Sequence, residues 1–488
     1  MHTDIKANEL LDKAKALHAS QNFNEALNLF LDILKIFPEN PEVLFLTGTT
    51  CIQLKDFKKG IFYLKKSINI YPKSIGAINN LAQILIDEDS LDEAYKYLQI
   101  GLKLDSNNLL ILSTLGSLFF EKKEYKKAIF YFKKVIDIEP NYFRAYFNLG
   151  NIFSIIGDYK ETIVYYDKAI QLNQNYIEAY WNKATFQLLH GEFDQGWKNY
   201  EYRIKREENK PQHQNFSHKK SWRGQKIDGS VLLIYGEQGF GDVIQFVRYL
   251  KLLEQFNTNL VLYISEKLIT LISSIQVSVK IFSNKNPIPY HDYHCPIMSL
   301  PYVFQTTLDN IPNQTPYLFP MKNKYSLWFE KIKSNSKFQL GIAFSGSVIH
   351  KRDKYRSIKL QDFSKLFISG IDIHSLQITY NNEDLKNLNE MPEVIQHQKD
   401  LKDFSDTAAL IANLDLVITV DTSIAHLAGA LGTPVWILLD TMPDYRWLLE
   451  RQDSPWYPSV KLFRQKKHKD WPQTILEVKK QLKNLVNN

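Results

Sequence analysis

Between residues 7 and 203, apolar and polar positions alternate in a pattern that returns every 34 residues. Small residues mark it at Ala14, Gly48, Ala82, Gly116, Gly150 and Ala184. A second small set follows at Ala26, Gly60, Ala94, Ala128, Thr162 and Gly196. Large apolar residues stand just before that second set: Phe23, Phe57, Leu91, Tyr125, Tyr159 and Phe193. Pro38, Pro72 and Pro140 close three units, while Ser106 and Gln174 take the same place in two others. The spacing predicts two antiparallel helices per unit. Small residues let helix backbones approach, aromatic rings fill the gaps between them, and Pro ends the second helix.

Six units without an insertion resemble tetratricopeptide repeats, which stack into an α-solenoid with a concave face suited to peptides or partner proteins. Most of the Tyr and Phe residues in these units are expected to be packing residues, so recognition is assigned to the array and to no single side chain. The periodicity stops at KREENKPQHQNFSHKKSWRGQKIDG, which reads as a polar, basic connector in which His213 and His218 are expected to face solvent. Beyond it short β-branched runs alternate with helical patterns. VLLIYG (231–236), NLVLYIS (259–265), LGIAFSG (340–346), DIHSLQI (372–378), LDLVITVD (414–421) and PVWILLD (434–440) read as strands of parallel sheet joined by helices. A break around PMKNKYSLWFEKIKSNSK divides this half into two α/β lobes. The expected layout is repeats over 1–203, a linker over 204–229, an amino-terminal lobe over 230–325 and a carboxy-terminal lobe over 326–488.

Composition narrows the classes. At 488 residues the chain exceeds one ordinary core, and 44% hydrophobic with 23% charged residues is globular composition. A net charge of +7 with dispersed Lys does not call for nucleic acid. Cys51 and Cys295 stand far apart, which predicts neither a disulfide framework nor a Cys-based metal site. The polar start MHTDIKANELLDKAK lacks a signal-peptide core, and no apolar run is long enough to span a bilayer. A cytoplasmic protein is expected, and peripheral contact with an anionic membrane is compatible with the charge.

Three loops carry candidate chemistry, and ligands of parallel sheets bind beyond the carboxyl ends of strands. In the first, Gly236-Glu-Gln238-Gly239-Phe-Gly241-Asp242, glycines ahead of a helix can aim backbone N–H groups at an anion and admit substrate to the backbone. A tight turn explains the same glycines, and a helix-start carboxylate explains Asp242 as a cap or as a general base. The second, SGSVIHKRDKYRSI, offers Ser345 and Gly346 as small donors, with Lys351, Arg352 and Arg356 as cations for a diphosphate or as an ordinary basic surface loop. The third ends a strand in Asp421-Thr422-Ser423 and opens a small-residue helix with His426; these residues suit helix capping and phosphate or sugar binding equally.

Together GEQGFGDVIQFVRYL, KRDKYRSI, DFSDTAALIANLDLVITVDTSIAHLAGALGTPVWILL and DYRWLLERQDSPWYPSVKLFRQ resemble bacterial tetratricopeptide-repeat glycosyltransferases. Their catalytic half is similar to the heptosyltransferases, whose GT-B fold pairs two Rossmann-like lobes. The resemblance implies Asp242 as general base on an acceptor hydroxyl, in the acceptor-side loop with Gln238, Gly239 and Gly241. It implies donor binding by Asp421, Thr422 and His426, with Ser423 where heptosyltransferases usually carry glycine, and Arg356 near a basic residue that contacts the donor diphosphate.

The expected activity is transfer of a sugar from a nucleotide-sugar donor to a hydroxyl acceptor, inverting, with cationic side chains in place of a metal and no resident cofactor. The repeats then recruit a protein or glycan acceptor or a partner. Two other readings stay open: a repeat scaffold with a degenerate transferase half, and a nicotinamide-dependent oxidoreductase with Glu266 as ribose-binding acid. The spacing GxxGxG departs from the dinucleotide fingerprint that the last reading wants.

Overall fold

The computed structural model describes residues 2–332, 337–347, 352–467 and 470–487, with side chains from residue 7 onward. It falls into two compact units, Met1–Ala179 and Tyr180–Asn488.

The first unit is built from helical hairpins: His2–Ala19 with Phe23–Ile36, Pro41–Gln53 with Phe57–Ile70, Ile75–Asp87 with Leu91–Leu104, Leu109–Glu121 with Tyr125–Ile138, and Phe143–Ile156 with Tyr159–Leu172. Local chemistry starts several of them. Asn40 accepts from the N–H groups of Glu42 and Val43 ahead of a helix that begins with Pro41, and Asp56, Ser74, Asn108 and Asp158 cap in the same way. The periodic small residues are where helices touch. A Cβ on Gly116 would lie 2.7 Å from the Phe132 ring, and one on Gly150 would lie 2.6 Å from Tyr166. A second period is legible only in the backbone. Gln21, Lys55, Asp89, Lys123, Gly157 and Gly191, again 34 residues apart, hold positive φ between 57° and 81° in the turn inside each hairpin.

A sixth hairpin, Ile177–Leu189 with Phe193–Tyr200, straddles the division between the units. From its second helix Phe193, Trp197 and Tyr200 enter the core of the α/β half against Phe246, Tyr445 and Trp456. The stretch 204–229 is likewise not a free linker. A short helix, Lys210–Gln214, leads to a two-residue edge strand, and Phe216, Trp222 and Ile227 are buried. Apolar anchors thinly spread through polar sequence tie it down. His213, expected in solvent, is 7% exposed and shares a 2.7 Å hydrogen bond with the Tyr235 hydroxyl, whereas His218 is exposed.

Among its described residues the α/β half has eleven strands: β1 Lys220–Ser221, β2 Val231–Tyr235, β3 Asn259–Ile264, β4 Lys280–Ser283, β5 Tyr293–Pro296, β6 Phe338–Ala343, β7 Ile371–Ser375, β8 Val394–Gln396, β9 Leu416–Val420, β10 Val435–Leu439 and β11 Val460–Arg464. They form two all-parallel sheets, ordered β1-β5-β2-β3-β4 and β11-β10-β9-β6-β7-β8. Counted within its own lobe, the second order is 3-2-1-4-5-6, the Rossmann winding. The chain crosses between lobes ahead of the helix Lys322–Ile332, which packs on the helix Phe404–Ile411 and spans the boundary expected at 325/326. The central strands β9 and β10 are buried at every residue, as a sheet covered on both faces requires.

Winding decides where loops meet. In the second sheet the order reverses between β6 and β9, and in the first between β2 and β5. The three candidate loops follow β2, β6 and β9.

Candidate active site

After β2 the chain turns through Gly236, buries Glu237, and passes through Gln238 at φ 58° before Gly239 caps the helix Phe240–Phe246. Packing demands two of the three glycines. A Cβ on Gly236 would come within 3.0 Å of Val243 and 3.1 Å of Ile264, and one on Gly241 within 2.8 Å of the His426 ring. Only at Gly239 does the added carbon meet nothing but Asp242, at 3.1 Å. The loop is therefore less open to substrate than its composition suggests. The exposed residues are Gln238, Gly239 and Phe240.

Asp242 stands in the first turn of that helix. Its Oδ2 accepts from the Gly239 N–H at 2.7 Å, which closes a cap across the turn. Its Oδ1 accepts from Arg446 in an ion pair that joins the two lobes. Burial raises the Asp242 carboxyl above the ordinary carboxylate range, while the Arg446 charge and the Gly239 N–H oppose that rise.

The loop after β9 meets the first one directly. Thr422 caps the helix Ser423–Leu431 by accepting from the Ile424 N–H at 3.3 Å. The Ser423 Cα lies 3.4 Å from the position of a Cβ on Gly241. Buried His426 bonds through Nδ1 to the Tyr457 hydroxyl at 3.0 Å and stacks on Trp447 with centroids 5.2 Å apart. Burial, reinforced by Arg446, lowers its pKa to about 3, so the ring is neutral at physiological pH. Asp421 is pushed up to about 6, first by burial and then by the charge of Asp444. Its backbone carbonyl accepts from Arg356 Nη1 at 2.9 Å.

In the loop after β6, the Arg356 guanidinium occupies the space that a Gly346 side chain would need. Other donors there are already engaged. The Ser345 N–H donates to Gln377 Oε1 at 3.1 Å, Gln377 also reaches the Ser345 hydroxyl, and the Gly346 N–H donates to the Ser357 hydroxyl at 2.9 Å. Arg352 is paired with Asp440 at 3.0 Å and with the Met442 carbonyl. Lys351 lies outside the described residues. Among the described residues of this loop, Arg356 is thus the cation that reaches the 421–426 segment.

Sequence reasoning missed Arg446. It is 6% exposed and reaches Asp242, Asp444 Oδ1 at 2.8 Å and Gln245 Oε1 at 2.5 Å. A local signal existed in Asp444-Tyr445-Arg446-Trp447, where a cation stands beside an acid and between two aromatic residues. Its link to Asp242, 204 residues away, is tertiary. Arg248 is a second buried cation of the same region. It donates to the Trp456 carbonyl at 2.6 Å and lies over the rings of Tyr317 and Tyr457.

The arrangement brings a raised carboxylate, a neutral imidazole, a helix start and an arginine to the ends of the two parallel sheets. Proton acceptance and anion binding are the chemistries such a set supports. Families of known proteins match segments in both parts of the chain. Tetratricopeptide-repeat families match residues 41–74, 116–155 and 143–176, and glycosyltransferase family 9 (heptosyltransferase) matches residues 402–473. Protein FlbA of Caulobacter vibrioides is 26% identical over 286 residues, covering 52% of this chain and 46% of that protein, so the chain spans under half the length of this relative. Among solved structures, MamA is 25% identical over 34% of this chain and 96% of its own, with a TM-score of 0.31. A thermophilic TPR protein of Thermus thermophilus is 19% identical over 37% of this chain and 99% of its own, with a TM-score of 0.34. No described helix is long and apolar enough to cross a membrane. The chain thus carries tetratricopeptide repeats, and in its second half residues 402–473 match glycosyltransferase family 9, the heptosyltransferase family; that matched segment holds Asp421, Thr422, Ser423, His426 and Arg446.

Proposed function

We propose that the chain transfers a sugar from a nucleotide-sugar donor to a hydroxyl acceptor, with inversion and with Asp242 as general base. The observation that carries the reading is the meeting of the Asp242 loop with the 421–426 helix start, where Gly241 faces His426 at a separation that leaves no room for a Cβ. Asp242 takes the acceptor proton as the acceptor oxygen bonds to the anomeric carbon. The bond from that carbon to the diphosphate oxygen breaks, and the diphosphate leaves with the electron pair. Its charge falls to Arg356 and to the N–H groups opening the helix Ser423–Leu431. Arginine charge takes the part that a divalent ion plays in other transferases, and the nucleotide sugar is substrate, so no resident cofactor is called for.

Asp242 suits its part because each carboxylate oxygen uses only one described contact, with Arg446 or with Gly239, which leaves lone pairs for an acceptor proton. The repeats recruit a polypeptide or glycan acceptor, or a partner that presents one. One observation favours a second reading, a binding module without catalysis: the Asp242 carboxylate is held in place by those same two contacts in the described structure.

Asp242→Asn separates the two. Catalysis predicts that nucleoside diphosphate release in the presence of acceptor falls roughly 100-fold or more while donor binding stays within about threefold. Transfer by Asp242→Asn at the wild-type rate would remove the base from the account.

A further inference from the structure

Within the loop 236–242, Glu237 turns into the protein while Gln238, Gly239 and Phe240 are exposed. Its partner comes from outside the α/β lobes. Arg203, in the turn that follows the last repeat helix, is 0% exposed. Its Nη2 donates to Glu237 Oε1 at 2.7 Å and its Nε to Oε2 at 3.1 Å, a two-point grip. Nη1 donates to Glu201 at 2.6 Å, Nη2 also reaches the Ser299 hydroxyl at 2.8 Å, and the guanidinium carbon lies 5.0 Å from the Tyr200 ring centre. Glu237 also accepts from the Met298 N–H at 3.1 Å, and His213 Nε2 stands 3.5 Å away.

The next residue explains why so firm a grip is needed. Gln238 holds φ 58°, a conformation that residues with a side chain rarely adopt, and it persists only where both sides are held. Glu237 is held by Arg203 on one side. On the other, the Gly239 N–H is bonded to Asp242. The position of Asp242 therefore runs back through a strained residue to a buried ion pair with the last repeat.

We infer that Arg203 is a positioning residue for the proposed transfer: through Glu237 it fixes the loop that presents Asp242, so the close of the repeat array is built into the catalytic half. This rests on the reading of Asp242 as base. Charge follows from the same geometry. Asp242 is paired with Arg446, it feels the charges of Asp444 and Glu237 with Tyr200 and Tyr445 close enough to couple to it, and Arg203 offsets the Glu237 charge through their ion pair. Without that offset, an unbalanced negative charge beside Asp242 favours its protonated form, and the acid limb of the rate profile moves to higher pH.

The test uses the full chain as wild type, Arg203→Lys and Arg203→Met. Hydrogen–deuterium exchange of peptides covering 236–242 is compared with that of β9, which lies in the other lobe. Arg203→Met is expected to exchange at least tenfold faster in the loop with β9 unchanged, and Arg203→Lys to fall between Met and wild type. Nucleoside diphosphate release from UDP-, GDP-, ADP- and dTDP-glucose supplies the kinetic arm. There kcat falls at least tenfold in Arg203→Met with KM within threefold, the acid limb shifts upward, and Arg203→Lys recovers the wild-type limb. Folded Arg203→Met with loop exchange and acid limb within twofold of wild type overturns the inference. If Arg203→Met does not fold, Arg203→Lys with wild-type loop exchange overturns it. The base reading fails separately, through an active Asp242→Asn or a wild type that turns over none of the four sugars, and the exchange result decides on Arg203 in either case.

Discussion

Asp421 shows at residue scale how a candidate ligand residue and a source of instability coincide. Its carboxyl is pushed up to about 6 from an ordinary value of 3.8 by burial and by Asp444. A folded pKa above the unfolded one means that the folded chain holds a proton the unfolded chain has lost, so stability falls as pH rises from about 4 to about 6 and stays lower above that range. Asp421→Asn is accordingly expected to raise stability by about 3 kcal/mol at pH 8 and to change little at pH 4, read from thermal unfolding at both values. Equal gains at the two values would contradict the burial account. Asp421, Thr422 and His426 were legible in the sequence because a strand end, a cap and a helix start lie within six consecutive residues. Arg446 was not, because its meaning depends on a partner in the other lobe. Of the three glycines in the first loop, the need for Gly241 became plain only when the His426 ring was found against it.

At the scale of elements, the repeats were the most readable part, since each small position in phase reports a helix contact. The turns inside the hairpins were not readable. Their left-handed residue is Gln, Lys, Asp, Lys, Gly and Gly in successive units, so composition hides a backbone requirement that all six share. The first four pay for their side chains in steric strain. Lys123→Gly, at φ 60°, is expected to stabilise the repeat array by about 1 kcal/mol, seen as a higher midpoint in urea with an unchanged slope. A lower midpoint would mean that the Lys side chain contributes more than the strain removes. Among the strands, β2, β3, β6, β7, β9 and β10 announce themselves as apolar runs. The two-residue Lys-Ser strand β1 and the edge strands β4, β8 and β11 do not, because edge pairing needs neither length nor an apolar pattern, and the inner strand β5 hides because its four residues, Tyr293–Pro296, include a His and a Pro.

Across the whole molecule, the sequence period and the physical units part company at the sixth repeat. By pattern that hairpin belongs to the solenoid, but Phe193, Trp197 and Tyr200 belong to the core of the α/β half, and Arg203 follows them. Removal of residues 1–179 is therefore expected to leave a cooperatively unfolding protein, whereas removal through 203 strips a buried aromatic face and yields insoluble chain. Two truncations compared for solubility and cooperative melting check this, and a soluble, cooperative product from the longer deletion would contradict it. The central claim concerns the meeting of the two lobes, and calorimetry on the full chain tests it most directly. Wild type and Asp421→Ala/His426→Ala are titrated with ADP, CDP, GDP, UDP and dTDP. The account predicts saturable one-to-one binding of one of these nucleotides by the wild type and its loss in the double variant. Equal binding by both proteins, or binding of none by the wild type, would contradict it.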